Sequence, residues 1–184
     1  MIFDSTLSPP GNVQVVPLSL TEARVSWTTA VGAHSYRVSA AGEEGGPYSE
    51  ADIVEHPGAF LDVEGLASEG EYYFVVQVSL DGEKWSNYSE EAYIKMPTTP
   101  GAPTGLDIDI YSETALDLEW VAPEDDGGAN ITGYKIERKT TGDYSTVVEN
   151  TGSADTTYRN TGLEENTEYT YRVSTITVVE SSPL

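Results

Sequence analysis

The chain has 184 residues, no cysteine, and 31 acidic against 9 basic residues, for a formal net charge of −22 at pH 7. The missing cysteines exclude disulfides and thiolate metal sites. The acid excess argues against nucleic acid and anionic membranes, because both bind through basic patches. No segment is long and apolar enough to predict membrane insertion.

Short segments in which apolar residues alternate with polar ones, or run together, predict β-strands. Turn clusters such as Gly45-Gly46-Pro47 and Asp126-Gly127-Gly128 separate them, and no segment has a helical apolar period over a helix length. In chain order the predicted strands include residues 13–15, 23–27, 36–38, 72–78, 88–94, 106–110, 116–120, 134–138 and 169–173. The pattern predicts an all-β fold built from antiparallel sheets.

One frame of residues occurs twice in the chain. Pro10, Val13, Trp27, Tyr36, Leu66 and Tyr72 recur as Pro103, Leu106, Trp120, Tyr134, Leu163 and Tyr169. The offset is 93 residues at the Pro and Trp positions, 98 at the first Tyr and 97 at the last pair. A repeat of roughly 90 residues is a domain, because it can bury a core of its own.

This frame resembles the fibronectin type III domain: Pro-x-x-Val/Leu, a Trp closing the second strand, a Tyr opening the third, and Leu-x5-Tyr before the sixth. The second copy, with residues 120–138, resembles the bacterial, archaeal and phage versions. The resemblance implies two immunoglobulin-like β-sandwiches in tandem. The expected organisation is an N-terminal arm at 1–8, a first domain at 9–97, a Pro-rich linker at 98–102 and a second domain at 103–184.

The resemblance also implies which residues form the cores. Tyr72 and Tyr169 are expected to make tyrosine corners, whose hydroxyls bond to backbone near Leu66 and Leu163. The expected structural core comprises Trp27, Tyr36, Leu66, Tyr72, Trp120, Tyr134, Leu163 and Tyr169.

The sequence predicts no catalytic site and no cofactor. His34 and His56 lie in predicted turns without a serine or carboxylate at motif spacing, so both are interpreted as surface residues. Glu124, Asp125 and Asp126 form a weak calcium candidate, because carboxylates on a flexible turn suit that ion. They lack the spacing of an EF-hand loop, and a plain turn is the favoured interpretation.

Aromatic residues near loops are candidate contacts for a protein or glycan partner. Trp85 and Tyr88 are the leading pair of candidates, and the favoured interpretation is that they only cover the edge of the sandwich. Other tyrosines near loops or on outward strand positions are Tyr48, Tyr73, Tyr93, Tyr111 and Tyr144.

The second copy is short at its end. Only 15 residues follow Tyr169, whereas 25 follow Tyr72 up to and including Pro97, so the final strand of the second sandwich is expected to be missing. Either the chain is truncated, or another chain supplies the strand next to Val178 and Val179. The apolar arm Met1-Ile2-Phe3 of a neighbouring copy is one candidate donor.

These observations predict a non-enzymatic structural or binding protein with protein partners. The leading version is a phage virion protein that decorates a capsid or a tail and lies at the virion surface, since residues 1–8 lack the features of a signal peptide. The alternatives are a secreted cell-surface adhesin and the accessory region of an extracellular polysaccharide hydrolase.

Overall fold

The structure, a computed structural model, describes residues 2–3 and 7–179, and for residues 2–3 it describes only the backbone. It divides into two compact units, Met1–Pro97 and Thr98–Leu184. The described residues contain strands and turns but no helix, so none of them forms a helix able to cross a membrane.

The first unit consists of two facing sheets. β2, β3 and β6 form one sheet in the order β2-β3-β6, and the other has the order β1-β8-β7-β4-β5 with β9 also paired to β7. The strands are β1 (Ile2–Phe3), β2 (Gly11–Pro17), β3 (Glu22–Thr28), β4 (Ser35–Ala41), β5 (Ser49–Glu55), β6 (Phe60–Glu64), β7 (Glu71–Ser79), β8 (Lys84–Trp85) and β9 (Ala92–Lys95).

The second unit repeats this plan with fewer described strands. Its sheets have the orders β10-β11-β14 and β13-β12-β15. The strands are β10 (Thr104–Ser112), β11 (Ala115–Val121), β12 (Ile131–Lys139), β13 (Ser145–Val148), β14 (Thr157–Thr161) and β15 (Thr170–Thr177). No strand follows β15 within the described residues, and Val178 and Val179 lie in a bend.

The repeated frame lies between the sheets of each unit. Trp27 contacts Tyr36 with ring centroids 5.3 Å apart, and Trp120 contacts Tyr134 at 5.0 Å. All four side chains are buried, as strand alternation requires for residues that face the opposite sheet.

Each unit contains a tyrosine corner. The backbone N–H of Ala67 donates to the Tyr72 hydroxyl at 2.8 Å, and the N–H of Glu164 donates to the Tyr169 hydroxyl at 2.9 Å. The two donors directly follow Leu66 and Leu163, which are both buried.

Residues 98–101, expected to be part of a linker, are hydrogen-bonded into the second unit. The N–H of Thr98 donates to the carbonyl of Gly127 at 2.8 Å, and the N–H of Gly101 donates to the carbonyl of Asp125 at 2.9 Å. Gly127 has a φ of 73°, and a Cβ at this position would lie 2.2 Å from the Thr98 carbonyl oxygen. Only glycine therefore fits here without moving the backbone.

Candidate functional site

Two tyrosines face outward side by side on the first unit. Tyr73 of β7 and Tyr93 of β9 are directly opposite in the antiparallel register, and their ring centroids are 5.0 Å apart. Their neighbour Phe74 is fully buried, so alternation turns Tyr73 away from the core. Tyr93 is 51% exposed, which leaves a broad ring face open to a partner.

A second tyrosine pair forms between two loops of the same unit. The rings of Tyr48, which precedes β5, and Tyr88, which precedes β9, have centroids 4.9 Å apart. The Tyr48 hydroxyl donates to Oε1 of Glu91, and the backbone N–H of Gly45 donates to the same oxygen at 2.8 Å. Burial, together with this hydrogen bond, raises the pKa of Tyr48 to about 12.

Carboxylates connect the two pairs. Burial is the main cause that raises the pKa of Tyr73, followed by the charges of Glu71, Glu44 and Glu91. Burial and Glu71 likewise raise the pKa of Tyr93. We call this group the tyrosine surface, and it consists of Tyr48, Tyr73, Tyr88, Tyr93, Glu44, Glu71 and Glu91.

The tyrosine surface combines ring faces with negative charge. A guanidinium or ammonium group is attracted to a ring face and to a carboxylate, so the surface has the chemistry to bind a cation. Lys95 is the basic residue nearest in register, opposite Glu71. The sequence analysis named all four tyrosines among the candidate aromatic contacts, but it gave no role to Glu91.

Trp85, a candidate contact, is only 3% exposed and offers little ring surface to a partner. The Arg37 guanidinium lies 4.1 Å above its ring centroid, and Arg37 is paired with Glu50 at 2.8 Å. The hydroxyls of Ser86 and Ser89 accept the N–H groups of two β7 residues, at 3.1 and 2.9 Å. The segment therefore closes the sheet edge, in agreement with the favoured interpretation.

Comparison with known proteins identifies the second unit. Residues 101–184 match the family model described as "Fibronectin type III domain". Residues 101–184 form a fibronectin type III domain. The predicted all-β class is confirmed, and the buried Trp120 and the Tyr169 corner are the features on which the resemblance was based.

The similarity to curated proteins covers small parts of much longer chains. A "Titin homolog" of Caenorhabditis elegans is 36% identical over 84 residues, which are 42% of this chain and, to the nearest per cent, 0% of that protein. The "Netrin receptor DCC" of Homo sapiens is 27% identical over 187 residues, which cover 95% of this chain and 12% of that protein. The chain thus spans about an eighth or less of these relatives.

One solved structure shows the same fold along the chain. The crystal structure of the chicken CNTN1 FN1-FN3 domains matches with a TM-score of 0.62 at 18% identity, covering 96% of this chain and 62% of that one. At this identity the likeness concerns the fold alone, and the fold is that of successive fibronectin type III domains.

The carboxylates proposed for calcium form turns in the second fibronectin unit. Oδ1 of Asp125 accepts the N–H of Gly127 at 2.9 Å, and Oδ1 of Asp126 accepts the N–H of Gly128 at 2.8 Å. Within the described part of the chain no three His, Asp or Glu side chains converge as a metal site would require. The structure therefore does not gather Glu124 with these two residues around an ion.

His34 lies near two polar side chains of the first unit. Its Nδ1 is 3.3 Å from the Ser35 hydroxyl and 3.6 Å from Oε2 of Glu55. A catalytic triad needs the acid on one ring nitrogen and the nucleophile on the other, whereas both contacts here involve Nδ1. This geometry does not form a charge-stabilised general base.

The apolar residues near both ends of the chain were candidate interaction residues. The backbone of Ile2 and Phe3 pairs in parallel with Lys84 and Trp85 of β8, so it lies in the sheet of its own first unit and not in the second one. Met1 lies outside the described residues. Val178 is 58% exposed, and Val179 is half-buried.

Proposed function

We propose that the chain is a non-catalytic binding module whose first unit holds a basic segment of a partner protein on the tyrosine surface. The observation that carries this proposal is the convergence of four tyrosines and three carboxylates on one face, with Tyr93 half exposed. Aromatic residues that combine rigid area with a polar tip are enriched at protein interfaces.

Charge complementarity favours a basic partner over an acidic or neutral one. The first 97 residues carry 15 acids and 4 basic residues, and the whole chain has a net charge of −22. Such a field attracts cationic groups from a distance and speeds their encounter. A guanidinium over an exposed ring contributes about 0.5–1 kcal/mol, and the flanking carboxylates add directional hydrogen bonds.

We place this module in an extracellular or cell-surface protein. The human protein that shares 27% identity over nearly the whole chain is named a receptor, which supports that setting. Two compact units of one fold, joined directly in sequence, also suit a spacer that presents a binding face. The narrower version, a phage virion protein, stays a prediction from the sequence.

The test uses the whole chain labelled for NMR and a library of short peptides that contain paired arginines, with matched acidic peptides beside them. We expect chemical shifts to change at Tyr73, Tyr88 and Tyr93 with the basic peptides only. Tyr93→Ala and Glu91→Gln should weaken binding.

Glu90→Gln is the matched control, because it removes the same charge one residue away from Glu91 at an exposed position. Equal effects of Glu90→Gln and Glu91→Gln would mean that bulk charge, and not the tyrosine surface, binds the peptide. Binding of neutral oligosaccharides at the same residues, with no response to basic peptides, would replace the protein partner with a glycan.

A further inference from the structure

All five arginines of the chain lie over an aromatic ring. Their guanidinium carbons are between 3.3 and 5.0 Å from the ring centroids, in the pairs Arg24–Phe60, Arg37–Trp85, Arg138–Tyr169, Arg159–Tyr111 and Arg172–Tyr144. In the part of the chain that the structure describes, Lys139 is the one lysine of four that lies over a ring. Rings in this protein therefore attract guanidinium groups more often than ammonium groups, as expected for the flat and weakly hydrated guanidinium.

Three of these arginines also have a carboxylate directly opposite on the neighbouring strand. The cross-strand pairs are Arg24 with Asp62, Arg159 with Asp117, and Arg172 with Glu137. In each pair the guanidinium donates to the carboxylate at 2.6 to 2.8 Å. The repeated arrangement thus has three parts: a carboxylate, an aromatic ring, and an arginine that contacts both. Because a guanidinium can stack on a ring while it donates in its own plane, one side chain satisfies both partners.

The tyrosine surface has the carboxylate and the rings of this arrangement. Glu71 and Tyr73 are two residues apart on β7, so their side chains lie on the same face of the sheet. Phe60 and Asp62, which both contact Arg24, have the same spacing on β6. The charge of Glu71 contributes to the raised pKa of Tyr73 and of Tyr93, so its carboxylate lies near both rings.

At this position the chain has a lysine in place of the arginine. Lys95 of β9 is opposite Glu71, whereas an arginine is opposite the carboxylate in the three pairs above. Among the described residues Lys95 forms no ion pair with Glu71, and no cation lies over the ring of Tyr73 or Tyr93. A compact, strongly hydrated ammonium gains less from a ring and an exposed carboxylate than a guanidinium does. The two rings and the carboxylate therefore remain available to a guanidinium of another molecule.

We propose that the tyrosine surface selects arginine over lysine in its basic partner, with the guanidinium stacked on the ring of Tyr93 and donating to Glu71. This inference rests on the proposed function, which puts a basic segment on this surface without distinguishing the two cations. Tyr93 is 51% exposed and Glu71 is also exposed, so a partner can reach both. Lys95 repels the incoming charge, but the three carboxylates of Glu44, Glu71 and Glu91 outnumber it.

The test compares two peptides that differ only in their cations, Gly-Ser-Arg-Arg-Ser-Gly and Gly-Ser-Lys-Lys-Ser-Gly, on the full chain. NMR titration measures the affinity of each peptide and locates its contacts. We expect the arginine peptide to bind about tenfold more tightly, because only a guanidinium stacks and donates at the same time. Its chemical shift changes should be centred on Tyr73 and Tyr93.

Two substitutions separate the ring from the carboxylate. Tyr93→Leu and Glu71→Gln should each remove most of the preference for the arginine peptide, and both replace exposed side chains. Glu64→Gln is the matched control, because it removes the same charge from an exposed position on β6, in the other sheet of the unit. An equal loss of preference with Glu64→Gln would overturn the inference.

Lys95→Arg tests the geometry with a guanidinium from the chain itself. The new side chain lies opposite Glu71, as Arg24 lies opposite Asp62, and should therefore occupy the site and weaken binding of the arginine peptide. Unchanged binding would contradict the proposed position of the partner's guanidinium.

The two peptides also distinguish this inference from the proposed function. Equal binding of both peptides, or tighter binding of the lysine peptide, would overturn the preference for arginine and leave a basic partner in place. Binding of neither peptide would contradict the proposed function and the inference together.

Discussion

The two units share one frame of buried residues but differ at the last strand. In the first unit β9 and Met96 close the end of the sandwich, and their side chains join the core. In the second unit no strand follows β15 within the described residues, and Ile110 of β10 is 83% exposed. The frame of Trp, Tyr and Leu therefore organises the middle of each sandwich, whereas the last strand covers the end near the tyrosine corner.

The largest expected effect follows from the frame. Truncating Trp27 or Trp120 to Ala should cost about 3–5 kcal/mol of unfolding free energy, because each leaves a large cavity between the sheets. That loss is enough to unfold a domain of ordinary stability. Amide NMR signals of each unit, followed through denaturant unfolding, would show which unit responds.

Val31→Ala is the control, since Val31 is fully exposed and its truncation should leave the unfolding free energy nearly unchanged. A small loss of unfolding free energy in both Trp variants would contradict the assigned frame of core residues. A mild loss for Trp120→Ala alone would mean that the second unit does not depend on the same packing as the first.

The frame and the strands could be predicted because they follow from local pattern and from the repeat. Alternation of apolar and polar residues predicted the strand that ends near Trp120, and the Leu-x5-Tyr spacing predicted both tyrosine corners. These features depend on spacing, which the sequence shows directly.

The sequence named the four tyrosines but did not join them into one surface, because their pairing depends on register between distant segments. Tyr48 and Glu91 are 43 residues apart, and they meet only because the turn after β4 folds over the segment before β9. The cover on Trp85 could not be identified for the same reason, because the Arg37 side chain that lies over its ring comes from another strand. A search for cross-strand tyrosine pairs on outward positions could have found Tyr73 with Tyr93.

The second prediction concerns Met96, which follows the last strand of the first unit. Met96→Ala should lower the unfolding free energy of the first unit by about 2–4 kcal/mol, because it removes a core side chain that is only 2% exposed. Lys95→Ala at the neighbouring residue is the matched control and should have little effect, since Lys95 is exposed. Equal losses for both variants would mean that the strand acts through its backbone alone.

The third prediction concerns a surface that only the first unit has, since the counterpart of Tyr73 in the second unit is Thr170. Tyr48 should ionise with a pKa of about 12, because burial and Glu91 disfavour the phenolate. The folded pKa is above the ordinary value near 10. The stability that protonated Tyr48 contributes to the folded state is therefore complete below pH 10 and is lost as the pH rises towards 12.

NMR titration with tyrosine labelled at Cζ measures this value. Glu91→Gln should lower the pKa of Tyr48, because the negative charge that opposes ionisation is gone while the amide oxygen still accepts the hydroxyl. Glu90→Gln should have the smaller effect. An unshifted Tyr48 in the unmodified chain would contradict the contact with Glu91.

The smallest expected effect concerns an arginine–aspartate pair that both units contain. Arg24 of β3 donates two hydrogen bonds to Asp62 of β6, and both distances are 2.6 Å. In the second unit Arg159 of β14 donates to Asp117 of β11 at 2.6 and 2.8 Å. Offsets of 93 and 97 align Arg24 with Asp117 and Asp62 with Arg159, so the pair is kept with its charges exchanged. An alignment of the two copies could have revealed this exchanged arginine–aspartate pair from the sequence alone.

Arg24→Asp should lower the unfolding midpoint slightly, because it places like charges opposite each other in the strand register. Adding Asp62→Arg recreates the arrangement of the second unit and should restore the midpoint. Hydrogen bonding from the arginine lowers the pKa of Asp62 and of Asp117. The contribution of each pair is therefore complete above the ordinary Asp pKa and is lost as the pH falls through the lowered value. The double variant could instead be as unstable as the single one at neutral pH. The surrounding strands, and not the pairing of charges, would then determine which strand carries the arginine and which the aspartate.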